Sequence, residues 1–186
     1  MTVEEIFSKL SAHIIKGMMA HDQLASYYQF LGLDGCKQCH EYHFLAETLS
    51  YRKIQKYYIC KYNKLIPEEK IDDPDIIPDN WYKHLRQDVD AATKRSGVKS
   101  ALTIWHDWEV ETHNLYKTLY KELETLEEYS SADMVRCLMR SVEDEIKDVE
   151  KKKLRLADVD YSLNYIIKCQ SHLHDKYKKK KKKLIE

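Results

Sequence analysis

The stretch IPEEKIDDPDIIPDN, residues 66 to 80, holds all three prolines of the chain and a dense set of acids. Proline lacks a backbone N–H and pushes the residue before it out of the helical region, so this segment reads as an irregular connection. What flanks it decides the fold.

Upstream, one seam recurs at three-four spacing through Phe7, Leu10, Ile14, Gly17, His21, Leu24, Tyr28 and Leu31, which predicts an amphipathic helix over residues 3 to 31. Gly32, Asp34 and Gly35 supply the conformations that end a helix and make a short turn. A second helix is expected from near Cys36 to about Leu65, with Phe44, Glu47, Tyr51, Ile54, Tyr58, Tyr62 and Leu65 on one face and Pro67 as its stop.

Downstream, a short helix is expected from Asn80 or Trp81 to about Thr93, and Gly97 reads as a break. A long third helix then carries Val98, Leu102, Trp105, Glu109, Thr112, Tyr116, Leu119, Leu123 and Leu126. Ser130 followed by Asp133 has the form of a capping box opening a fourth helix, with Val135, Leu138, Val142, Glu145, Val149, Leu156, Val159, Leu163 and Ile166 on its stripe. The aspartates of ADVDY (157 to 161) mark a kink or restart.

The expected architecture is therefore all-α: an antiparallel four-helix bundle with a long crossover between helices 2 and 3, a short helix in the crossover and a helical C-terminal extension. Residues 1 to 175 form one helical-bundle domain, and 176 to 186 a Lys-rich C-terminal tail. Composition agrees, because four Gly and three Pro in 186 residues, with 33 % charged side chains, make poor material for a turn-rich sheet protein. A chain of this size can bury a full core.

Net charge is zero, which gives no global field toward nucleic acid or membrane. No apolar run approaches the roughly 18 residues of a membrane span, so no membrane span is expected. The acidic start MTVEEIFSKL is unlike a secretory signal, and five cysteines cannot pair completely. The expectation is a cytoplasmic protein with reduced thiols.

Each long helix carries an ionisable residue in its apolar seam: His21, Glu47, Glu109 and Glu145, with Asp148 one turn after the last. An unpaired buried charge costs several kcal/mol, so these groups need partners or a metal ion. Reflection about a turn near residue 33 sets His21 beside Glu47. Reflection about a turn near 129 sets Glu109 beside Glu150, within a turn of Asp148 and Lys152, and leaves Glu145 nearer Tyr116 and Thr112.

A bundle with this connectivity and inward carboxylates resembles the ferritin and rubrerythrin superfamily of di-iron carboxylate proteins. The segments that carry the resemblance are HDQLASYY (21 to 28), WEVETHNLYKTLYKEL (108 to 123) and EDEIKD (143 to 148). It implies Asp22 or His21 as first-helix ligand, Glu109 or Glu111 on the third helix, and Glu145 with Asp148 in the place of Glu-x-x-His on the fourth. The second helix offers no Glu-x-x-His, since Glu47 is followed by Ser50, so the implied site is atypical or vestigial. Iron, manganese or zinc suits such nitrogen and oxygen donors.

DGCKQCHEYH (34 to 43) adds Cys36, Cys39 and His40 in the C-x-x-C-H spacing of haem attachment or of part of a zinc site, and His43 as a further donor. Haem attachment belongs to exported proteins and is disfavoured. The plain alternative is a helix start with buried thiols.

Lys178, Lys179, Lys180, Lys181, Lys182 and Lys183 read either as a site for nucleic acid or another anion, or as a solvated helix end complementing the helix dipole, and the second is preferred. No nucleophile constellation or phosphate-binding glycine loop is present, so no enzymatic activity is assigned. Two functions compete: a ferritin-like metal-binding bundle, and an interaction or assembly module, self-associating or binding a protein partner, whose core polar residues only set helix register.

Overall fold

The computed structural model describes residues 1 to 72, 74, 76 and 89 to 185. The described residues form five helices: α1 (Val3–Phe30), α2 (Asp34–Tyr62), α3 (Ala91–Thr125), α4 (Tyr129–Ala157) and α5 (Leu163–Ile185). No strand occurs among them. Thr2 starts α1 through a capping box, its hydroxyl accepting from the Glu5 N–H at 3.2 Å while the Glu5 carboxylate accepts from the Thr2 N–H at 2.8 Å.

α1 packs on α2 and α3 on α4, while α5 returns to lie on α2, an arrangement compatible with a bundle. Contacts run in opposite order along α1 and α2: Phe7 meets Tyr58, Gly17 lies against Glu47, and His21 meets His43. The link between these helices is centred on Gly32, whose φ of 72° supplies the left-handed residue a tight helix stop requires.

Several expected boundaries are corrected. Helix α2 ends at Tyr62, capped by Asn63 in the left-handed conformation, rather than at about Leu65. Gly97 is no break. It lies inside α3, where an added Cβ would come within 2.6 Å of the Tyr27 hydroxyl and 2.9 Å of Leu31, so its small size serves close packing against the end of α1. Asp90 caps α3, accepting from the Thr93 N–H at 2.7 Å.

The expected short helix from 80 to 93 falls mostly outside the described residues, and its last residues belong to α3. Ser130 and Asp133 form no capping box: α4 follows Glu128, Ser130 accepts from Lys61 Nζ at 2.8 Å, and Asp133 pairs with Arg136. The restart expected at ADVDY is found, since α4 ends at Ala157 and Asp160 and Tyr161 take positive φ before α5, so the expected stripe is shared between two helices. The Lys-rich segment, up to Ile185, forms the last turns of α5 beyond Tyr177, which is 1 % exposed.

The core is divided in two. One cluster contains Phe7, Leu10, Ile14, Ile54, Tyr58, Leu119, Leu123 and Val142. The other contains Leu24, Tyr28, Cys39, Leu102, Trp105, Val149, Ile166 and Tyr177. Between them, every one of α1 to α4 contributes polar residues: His21 on α1, His43 and Glu47 on α2, Glu109 on α3 and Glu145 on α4.

Candidate metal centre

The polar layer follows from two tight turns. A turn centred on Gly32 mirrors His21 onto His43 and Gly17 onto Glu47; one centred near Glu127 mirrors Glu109 onto Glu145. Four helices thus deliver two imidazoles and two carboxyl groups to one level.

Donor atoms of His21, His43 and Glu145 all lie within 4.8 Å of one another. His43 Nδ1 and Glu145 Oε2 form a buried ion pair at 2.9 Å. Beside that pair, His21 Nε2 is buried and makes no hydrogen bond to any described residue. Buried polar atoms without partners are costly, and one donor atom from each of His21, His43 and Glu145 gathers about a common point.

His21 Nδ1 is 3.1 Å from His40 Nδ1. One of these nitrogens must donate; with the proton on His21 Nδ1, Nε2 presents a bare lone pair to the layer. A histidine held through its far nitrogen while the near one points at the site is the arrangement that orients metal-ligating imidazoles. Glu109 lies beside it, Oε1 being 3.6 Å from His21 Nε2 and accepting from Trp105 Nε1 at 2.9 Å.

Crowding sets the charges. Burial, then the nearby Glu145 and Glu47, push the Glu109 carboxyl well above its ordinary value. Burial and Glu145 push Glu47 up to about 8. Burial opposes charge on His43, but Glu145 and Cys39 outweigh it and raise the imidazole to about 10. Burial likewise opposes ionisation of Glu145, and His43 prevails to hold it below the usual range. Burial and the His43 charge lower His21 to about 3. At neutral pH the metal-free layer therefore holds one ion pair, His43 with Glu145, beside neutral imidazoles and protonated Glu47 and Glu109.

The other expected residues are placed differently. Glu47 does not meet His21; it sits one turn farther along α2, partly covered, with its carboxyl carbon 3.7 Å from the position of a Cβ on Gly17. Asp148 lies outside the cluster and pairs with Lys152 at 2.8 Å. Asp22 and Glu111 are exposed. Cys36, Cys39 and His40 do not converge: Cys36 accepts from Gln170 Nε2 at 3.4 Å, Cys39 lies 3.7 Å from Lys152 Nζ, and His40 joins His21. Of the lysine run, Lys181 reaches Glu41 at 2.6 Å and Lys180 lies over the Tyr42 ring, while Lys178, Lys179, Lys182 and Lys183 are exposed.

Two supporting groups escaped the sequence reading. Trp105 donates to Glu109 across a readable four-residue helical step. Tyr177, whose hydroxyl is 3.3 Å from Lys152 Nζ, arrives from α5 and has no local signal at all.

No protein-family model matches the chain, and no curated protein matches it. No helix among the described residues is long and apolar enough to cross a membrane.

Proposed function

We propose that the chain is an antiparallel, ferritin-like four-helix bundle, extended by α5, that holds a transition-metal ion between its helices. His21, His43 and Glu145 are the core of the site, with Glu109 and Glu47 as adjoining carboxyl groups. The observation that carries this reading is the gathering of buried donor atoms of His21, His43 and Glu145 within 4.8 Å of one another, with His21 Nε2 lacking a hydrogen bond, in a layer between two apolar clusters. Iron, manganese and zinc are the ions whose preferences fit imidazole nitrogen mixed with carboxylate oxygen. A bound divalent cation would compensate the crowded carboxylates and displace the protons of Glu47, Glu109 and His43.

Protein purified without a chelating tag is expected to contain iron, manganese or zinc near stoichiometry by elemental analysis. Adding the ion at about a hundred times its dissociation constant should stabilise the fold by about 2.7 kcal/mol, or roughly 5–10 °C in Tm for a chain of this size. Glu145→Gln should abolish the gain. Less than about a tenth of an equivalent, with no thermal gain from any of the three ions, would end the proposal.

The second reading, a register-setting core in an interaction or assembly module, draws on the close His43–Glu145 pair, which already joins α2 to α4 without a metal. It expects Glu109→Gln with Glu145→Gln to leave assembly intact and to change stability modestly.

A further inference from the structure

We propose that a second cavity, separate from the polar layer, binds a small apolar molecule carrying a carboxylate. The cavity, of about 160 Å³, opens where α5 leans over α3 and α4. Its floor is apolar and buried: Tyr28, Val98 and Leu102 are at most 5 % exposed. Leu156 from α4 and Leu173 from α5 form its sides, and Arg155 stands at the exposed rim.

Charge decides the class of ligand. Among the described residues no Asp or Glu lines this cavity, whereas Lys152 and Arg155 both do. Lys152 is occupied by Asp148, but Arg155 makes no hydrogen bond or ion pair with any described residue. An apolar floor beneath an uncommitted guanidinium suits a ligand whose hydrocarbon enters first and whose anion stays at the mouth, where a bidentate charge-assisted contact forms. Apolar walls offer water few partners, so displacing it favours binding. The volume is about five times that of one liquid water, which suits roughly six to eight carbon atoms. The Tyr28 ring, stacked on His40 at 5.3 Å, stands between this cavity and the histidines, so the proposal does not rest on a metal being held.

The test uses the full chain in a chelating buffer. Hexanoate, benzoate, hexan-1-ol and hexylamine are titrated by calorimetry, with side-chain methyl resonances of Leu102, Leu156 and Leu173 as site reporters. Hexanoate and benzoate are expected to bind about tenfold or more tighter than the alcohol, and hexylamine more weakly still, with shifts at those methyls. Arg155→Gln should bring hexanoate down to the affinity of the alcohol while leaving the alcohol unchanged. Leu173→Trp should abolish binding of both, and Leu156→Phe repeats that test should the first variant unfold. Equal affinities for acid and alcohol, a preference that survives Arg155→Gln, undiminished binding in the filled variants, or no methyl shift up to about 10 mM ligand (a Kd far weaker than specific small-ligand binding) would each overturn the proposal.

Discussion

Three carboxyl groups, on Glu47, Glu109 and Glu145, and three imidazoles, on His21, His40 and His43, crowd the middle of this chain, and their charges cannot all coexist there. Glu47 makes the consequence measurable. Its folded-state value is about 8 against 4.5 in the open chain, so folding retains a proton over that interval. Metal-free stability is unpenalised by Glu47 below the lower value and falls as pH rises through the interval. His43, raised to about 10 from 6.5, adds stability below 6.5 that is lost on the way to 10. Glu145 works the other way, its contribution vanishing as acid protonates it. Glu47→Gln should therefore melt like the parent near pH 5 and be more stable by about 1–2 kcal/mol at pH 8. That is well under the full 1.4 kcal/mol per pKa unit, because solvent reaches part of this side chain. Melting curves in chelator at the two pH values decide it, and equal curves at pH 8 would refute the assignment.

Residue positions in the layer were legible in kind but not in pairing. Polar letters in an apolar seam pointed to His21, Glu47, Glu109 and Glu145, and all but Glu47 stand at the common level. The pairing depended on the centres of two turns, and reflection doubles any error in a centre. Placing the first turn one residue late moved His21's partner toward Glu47 and relegated His43. Placing the second two residues late moved Glu109's partner by about a full helical turn, from Glu145 toward Glu150.

Among the elements, α5 is held on α2 by a contact that tolerates no side chain. A Cβ on Gly35 would sit 2.3 Å from the backbone oxygen of Gln170. Alanine gains about 1 kcal/mol of helix propensity over glycine, yet a clash against backbone cannot be relieved by a rotamer change. Gly35→Ala is expected to lose about 2 kcal/mol net by denaturant titration and to make residues 163 to 185 susceptible to proteolysis. An unchanged midpoint would show that α5 is not seated so tightly. Gly97 teaches the same lesson: a glycine read as a helix break proved to be a packing site, because spacing within one helix carries no information about the Tyr27 hydroxyl that approaches from another.

For the molecule as a whole, all-helical architecture was readable because its seams keep one period over many turns, whereas the return of α5 was not. Nothing near residues 163 to 185 encodes which surface they cover; that depends on Tyr177 finding Tyr42 and Lys152. The lysine-rich end therefore divides into working and solvated parts. Tyr177→Ala should cost about 3–4 kcal/mol, as for other large buried aromatics, whereas Lys183→Ala should stay within about 0.5 kcal/mol. Thermal unfolding of the two variants tests this division, and comparable losses would refute it.

Trp105 gives the centre an optical handle. Its indole is 2 % exposed, donates to Glu109, lies 4.7 Å from the His40 ring and 5.1 Å from the His43 ring, and has Lys152 Nζ 4.4 Å from its centroid. Trp108 stacks instead on His13. With Trp81 and Trp108 replaced by Phe, emission from the buried indole reports on this neighbourhood from within, so quenching by an entering paramagnetic ion, or a spectral change as Glu109 gives up its proton, can be followed without attaching a dye.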